Sequence, residues 1–317
     1  MPADRLVRLM AAPAPPRSLS PTSASTWAQC QLKYVLGYLM GWQEPSTMPQ
    51  LVGNVVHRAV ELLYGHDPAD RTRAHASDVL RTALGEELPK PTYARLVAAA
   101  DPSGEVLTTG DDALDGLFEL EDPRQVTVGE DGLEVWVEAE LYGAPIRGRI
   151  DRIYDASGAE VIADYKTGKV AQPRFVQKAF FGLWTYAAAL AAADPEHRLA
   201  DRIELLYLIG RERLSRPVLR DVAIDQAKTL ARTWRTIGEV VAADAPEVVA
   251  RKAKLCDWCA FKAACPAFER KLPAVGTPGH DELLTALGLT QRSRRDVAAA
   301  LERLEPPDDV DETEGAA

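Results

Sequence analysis

The chain has 317 residues, 46% of them hydrophobic and 26% charged, with a formal charge of −10. That is the composition of a folded globular protein, and the charge excludes a surface that is basic all over. No run approaches the roughly 18 consecutive apolar residues that cross a bilayer. Met1–Pro16 lacks the apolar stretch of a secretion signal, so a cytoplasmic protein without a membrane partner is expected.

In chain order, residues 1–16 read as a disordered leader rich in Ala and Pro. Ser23 or Ser25 is expected to cap a helix running through Trp27, Leu32, Val35 and Leu36. Val52, Val55, Val56, Ala59, Val60 and Leu63 repeat every 3.6 residues and predict a second helix over 51–64. Residues 67–122 read as a helical insertion. From Leu133 the period changes to two, with Val135, Val137, Ala139 and Leu141 on one face of a strand. Tyr142-Gly143-Ala144-Pro145 turns into a second strand, 146–154, and Asp155-Ala156-Ser157-Gly158 into a third, 160–165. A helix over 175–193, a strand over 203–209 and a long helix over 224–241 follow. The predicted class is a mixed α/β core, a sheet with helices on its faces.

Arg211, Arg213, Arg216 and Arg220 follow the fourth strand and read as a solvated loop. One domain is expected over 17–275, with a helical extension over 276–304 and an acidic tail over 305–317. Beyond Leu304 there are six acids and no base, and without them the net charge falls from −10 to −4.

Chemistry concentrates in Gly148-Arg149-Ile150-Asp151 and, twelve residues on, Asp164-Tyr165-Lys166. Two carboxylates on neighbouring strands can converge on one hard divalent cation, which prefers oxygen ligands. Lys166, two residues after Asp164, lies on the same face of its strand. A cation, a water and an ammonium so grouped suit phosphodiester hydrolysis. Asp164 also ends the apolar run Val161-Ile162-Ala163, where a charge is costly unless it has a use.

These residues resemble the core of the RecB-like nucleases of the PD-(D/E)XK superfamily. The resemblance covers residues 19–64, 133–190 and 250–268. It implies a restriction-endonuclease-like fold, with Asp151 and Asp164 binding Mg²⁺ or Mn²⁺, Lys166 assisting catalysis, and the Tyr165 carbonyl as a further ligand. Gly53-Asn-Val-Val-His57 matches the family's Gly-x-x-x-His helix, which makes His57 a metal ligand. The Gln-x-x-x-Tyr pattern of many relatives is incomplete: Tyr186 is present, but Gly182 stands where the Gln belongs and Gln177 is nine residues away. Tyr186, Gln177 and Arg149 are candidates for substrate contact, and Glu138 or Glu140 for an extra acid.

The four cysteines are Cys30 and the cluster Cys256, Cys259 and Cys265. In a reducing compartment such clustering points to metal before disulfides. Four thiolates complete either a tetrahedral zinc or a [4Fe–4S] cluster. Zinc modules usually bring two C-x2-C pairs, and there is one here. The one-plus-three split resembles the AddB-type exonucleases and the iron–sulfur nucleases of CRISPR adaptation, in which the cluster staples the two ends of the nuclease domain. Structural Zn²⁺ is the alternative.

The resemblance thus implies a metal-dependent DNA exonuclease acting on single-stranded DNA or free ends in repair or recombination. Without a motor motif in the chain, a helicase or other repair protein is a candidate partner. The alternatives are a non-catalytic DNA-binding or scaffold subunit and a nuclease directed at RNA.

Overall fold

Ser20 starts the first helix, α1 (Pro21–Gln29). Its hydroxyl accepts the Ser23 N–H at 3.1 Å while the Ser23 hydroxyl accepts the Ser20 N–H at 2.9 Å, a reciprocal cap three residues upstream of the expected one. The helix also ends sooner than its apolar spacing predicts. Cys30 is extended (φ −161°, ψ 110°), and a new short helix begins at Gln31.

The computed structural model describes residues 5–9, 13–194, 198–268 and 290–291. These fall into two units, one of residues 16–28 and 45–240, the other of the remaining N-terminal, 29–44 and C-terminal parts.

In the larger unit α2 (Met48–Gly65) opens with Gln50 Oε1 accepting the Thr47 N–H at 2.8 Å, and it buries Leu51, Val52, Val55, Val56, Ala59, Val60 and Leu63. Helices α3 (Arg73–Glu87) and α4 (Ser103–Leu120) fill the region read as helical. Five strands follow: β1 (Thr127–Leu141), β2 (Ala144–Ala156), β3 (Ala159–Lys166), β4 (Arg202–Tyr207) and β5 (Glu212–Pro217), with α5 (Phe181–Ala193) between β3 and β4. The sheet order is β1-β2-β3-β4-β5, antiparallel except for the parallel pair β3–β4, which α5 makes possible by carrying the chain back. Helix α6 (Arg220–Ala242) ends the unit.

Two-residue turns fix both hairpins. Tyr142 and Gly143 (φ 53° and 80°) join Leu141 to its partner Ala144, and Ser157 and Gly158 (φ 58° and 86°) join Ala156 to Ala159. Positive φ at both central residues is the turn whose twist matches that of the strands. Helices α2, α3 and α4 share one core with Tyr154, Val161, Ala163, Tyr165 and Leu206 of the sheet. Because Ala163 and Tyr165 enter that core, the alternating Asp164 and Lys166 point away from it.

Strand β5 corrects the sequence reading of a loop. Its residues, ERLSRP, lack apolar alternation; Arg213 is held instead by acids, while Arg216 is exposed. Arg213 pairs with Glu121 at 2.7 Å and Glu204 at 3.0 Å, and Arg211, just before the strand, with Asp112 at 2.7 Å and Glu119 at 2.9 Å.

In the smaller unit Arg5–Arg8, read from sequence as part of an unstructured leader, form a strand antiparallel to Glu247–Ala250. Val7 and Leu9 are buried, which offsets the entropy of ordering the segment. Tight 3-10 turns over Lys254–Trp258, Ala260–Ala264 and Pro266–Phe268 carry the clustered cysteines. Of the expected helical extension only Thr290–Gln291 are described, and they pair as a strand with Trp42–Gln43. The acidic tail lies outside the described residues.

Candidate active site

The site lies where β2 and β3 part. Pairing between them ends at Arg152↔Ala163. One step further, at Asp151 and Asp164, the ladder gives way to a side chain: the Asp151 carboxylate accepts the Tyr165 N–H at 2.8 Å. On the other flank β1 pairs Leu133 with Arg152 and Val135 with Ile150, so Glu134 lies opposite Asp151. Three strands thereby bring three carboxylates, Glu134, Asp151 and Asp164, into one row.

Helix α2 supplies the fourth group. His57 Nδ1 is 3.3 Å from Asp151 Oδ2, and its ring meets that of Tyr165 edge-on, with centroids 6.0 Å apart. Donor atoms of His57, Glu134 and Asp151 lie within 4.8 Å of one another. Asp164 stands beside this trio and faces Lys166, whose Nζ is 2.5 Å from Asp164 Oδ2. Lys166 is thereby the partner of this buried carboxylate oxygen.

Crowding sets the protonation. Burial pushes the Asp164 carboxyl up, Lys166 opposes this, and the neighbouring Asp151 charge adds to it. Asp151 is held down: burial works against ionisation, but His57 and the Tyr165 N–H outweigh it. For His57 burial disfavours the charge, yet Asp151 lifts the imidazole to about 9. Burial, and after it the Asp151 charge, raises Glu134 to about 7. Carboxylate oxygens from three strands gathered with an imidazole at one point are the donor set that fits a hard divalent cation. His57, Glu134, Asp151 and Asp164 are the side chains that would hold it.

Glu134 is the acid the sequence reading missed; it had named Glu138 and Glu140. In the structure Glu138 pairs with Arg147 at 2.5 Å and Glu140 stands near the hairpin end, opposite Pro145. Glu134 takes the left-handed conformation, φ 48°, which costs a residue with a Cβ of the order of 1 kcal/mol. Arg149 Nη1 reaches its carboxylate at 3.2 Å.

Tyr186, on α5, is at the site. Its hydroxyl lies against Gly148, and burial pushes its pKa up to about 12. A Cβ at Gly148 would run into that hydroxyl, which gives the glycine of the Gly-Arg-Ile-Asp stretch its reason. Gly182, four residues earlier, faces α1, where an added Cβ would lie 3.6 Å from Pro21. Gln177 is exposed on the short helix Val176–Ala179 and is not brought in.

The four cysteines all belong to the smaller unit, half-buried and unbridged. They line one cavity of about 160 Å³ together with Leu32, Phe261 and Phe268. Burial pushes the Cys259 and Cys265 thiols up, and the neighbouring Cys30 adds to both.

Compared with known proteins, residues 18–266 match the PD-(D/E)XK nuclease superfamily. The chain belongs to that superfamily, which makes it a nuclease by family, and its five-stranded mixed sheet flanked by helices agrees with the superfamily's fold. Among solved structures, one titled "Crystal structure of SSO0001" aligns with 68% of this chain and 84% of its own, at 16% identity and a TM-score of 0.30. That similarity is too low to carry an argument. A comparison with curated proteins finds no match. Among the described residues no helix is long and apolar enough to cross a membrane.

Proposed function

We propose that the chain is a metal-dependent DNA exonuclease of the RecB-like, AddB type, acting on single strands or free ends in repair or recombination. The observation that carries this reading is the row Glu134–Asp151–Asp164, flanked by His57 and Lys166, at the point where β2 and β3 separate. A Mg²⁺ or Mn²⁺ ion there supplies Lewis-acid charge to the attacking water and the phosphate. His57, Glu134, Asp151, Asp164 and the Tyr165 carbonyl would hold it, Lys166 offers its ammonium to the developing negative charge, and Tyr186 and Arg149 border the substrate.

The four cysteines bind a [4Fe–4S] cluster in this reading. What supports this over zinc is the single C-x2-C pair, where zinc modules usually bring two, together with all four cysteines lining one cavity. The cluster is structural: it ties Cys30 to a segment 226 positions later and removes the freedom of that loop from the unfolded chain.

The test is cleavage of end-labelled single- and double-stranded DNA by anaerobically purified protein, with Mg²⁺, Mn²⁺ or EDTA. Metal-dependent shortening from an end, lost in Lys166→Ala, is the expected result. Brown protein that cuts nothing in either metal rejects the catalytic reading. Colourless protein containing one zinc rejects the cluster.

A further inference from the structure

Between Lys166 and α5 the chain makes an excursion whose composition departs from the rest. The protein has 47 acidic residues in 317, yet none from Tyr165 to Ala193. The charges of that stretch are Lys166, Lys169, Arg174 and Lys178. Lys166 faces Asp164. The other three are exposed, and among the described residues none has a carboxylate at ion-pair distance. Some cations elsewhere, such as Arg58, Arg73, Arg211 and Arg213, are paired with acids, whereas these three lie in a stretch with no acid of its own. Cations left unmatched in an acidic protein attract an anion.

In their midst stands Phe175. Its side chain is 50% exposed, and the Arg174 guanidinium lies over the ring, 4.8 Å from its centroid. Pro173–Phe175 form a single 3-10 turn that leads into Val176–Ala179, so the ring is carried on ordered backbone. The segment is tethered to the site at both ends. Thr167, next to Lys166, packs on α2 at Gly53, where an added Cβ would lie 3.5 Å from its Oγ1, one turn before His57. The other end runs into α5, which delivers Tyr186.

We infer that residues 169–178 form a platform for single-stranded DNA beside the metal site, with one base stacked on Phe175 and the strand's phosphates met by Lys169, Arg174 and Lys178. This rests on the nuclease reading for its substrate, but its chemistry is separate from cleavage. A ring accepts a base only where that base has left a duplex and exposes its face, and such stacking tolerates any sequence. Duplex DNA would meet the cations alone. The platform therefore selects single strands, which the carboxylate row by itself cannot do.

The experiment is binding of a fluorescein-labelled oligothymidylate by anisotropy in EDTA, where no cleavage is required. A protein that never cuts DNA can still pass or fail it. Phe175→Ala should bind the oligothymidylate about tenfold more weakly. It should bind an abasic strand of equal length and charge as the wild type does, and Phe175→Trp should restore the oligothymidylate affinity. Replacing Lys169, Arg174 and Lys178 together by Ala should weaken both strands and lower the slope of log K against log salt by about 2, from ~0.7 per single-strand phosphate contact. Wild-type affinity of Phe175→Ala for both strands overturns the stacking site. An equal loss on duplex DNA overturns the single-strand assignment.

Discussion

Two clusters of buried charge sit side by side on the same strands, and they are built on opposite terms. Around Arg152, fully buried, each carboxylate is answered by several donors, although Arg152 Nε itself has no hydrogen-bond partner among the described residues. Its guanidinium makes two hydrogen bonds to Glu121, at 2.6 and 3.0 Å, and lies over the rings of Tyr64 and Tyr154, 4.6 and 4.4 Å from their centroids. Glu121 also receives Arg213 and the Tyr64 hydroxyl, while Glu204 receives Arg213, Tyr154 and Ser215. One residue away Asp151 belongs to the other cluster, where Glu134, Asp151 and Asp164 gather with His57, Lys166 and Arg149 around one point. A buried network of long-range partners specifies packing; carboxylates and an imidazole gathered around one point offer ligands to a hard cation.

Breaking each cluster should therefore give opposite signatures. The largest effect is expected from Asp164→Ala. Cleavage should fall by roughly a thousandfold or more, about 4 kcal/mol of transition-state stabilisation, while the metal-free protein melts at or above the wild-type temperature because a repelled carboxylate has gone. Single-turnover rates and thermal melts in EDTA measure both. A variant that melts much lower and cuts normally would place Asp164 in the structural class and end the assignment.

Arg152→Met is expected to do the reverse to stability. It leaves Glu121 buried without its main partner, and losing one member of a buried pair costs about 3–5 kcal/mol. The double variant Arg152→Met with Glu121→Leu should recover much of that loss. Acid probes the same network. Burial opposes the charge on Glu121, but the Arg152 guanidinium outweighs it and holds the carboxyl below the ordinary 4.5. A depressed carboxylate stabilises the fold at pH above the unfolded value and loses that contribution as pH falls through the folded one. Stability of the wild type should decline below about pH 4.5, and Glu121→Gln, less stable at neutral pH, should decline less steeply. Equal slopes in denaturant titrations across that window would remove Glu121 from the acid response.

The two clusters also differ in how far the sequence reveals them. Asp151, Asp164 and Lys166 are expected from their spacing on one short hairpin and His57 from the family resemblance of its helix, and the structure brings the four together. The Arg152 network draws on residues 31 positions away at Glu121 and further off at Tyr64 and Arg213, so no local pattern marks it, and an Arg amid strand residues reads as surface. Strand β5 escaped for the same reason: Arg213 is held by partners in the segment after α4 and on β4, not by a period of its own. Phe175 and its neighbours were in view as composition, but their exposure and lack of acidic partners needed the structure. The helix break at Cys30 follows no breaker residue, and we have no local physical account of it.

Glu134 is the case in between, and it gives the smallest but sharpest prediction. The alternation from Val135 to Leu141 puts Glu134, Glu138 and Glu140 on one face, and nothing local separates them. The two-residue turn at Tyr142-Gly143 does: pairing Leu141 with Ala144 and counting back sets Glu140 against Pro145, Glu138 against Arg147, and Glu134 beside Asp151. If that register makes Glu134 a ligand, Glu134→Gln should weaken Mn²⁺ binding by roughly tenfold, the scale on which changes around a metal site act. The fold should be kept, since Arg149, its partner, is more than half exposed and solvent can replace the pair at little cost. Glu138→Gln, made as the control on the same face, should bind Mn²⁺ as the wild type does. Calorimetric titration of metal-free protein decides it: equal affinities for the two variants would mean that Glu134 borders the row without joining it, and the ligand set would shrink to His57, Asp151 and Asp164.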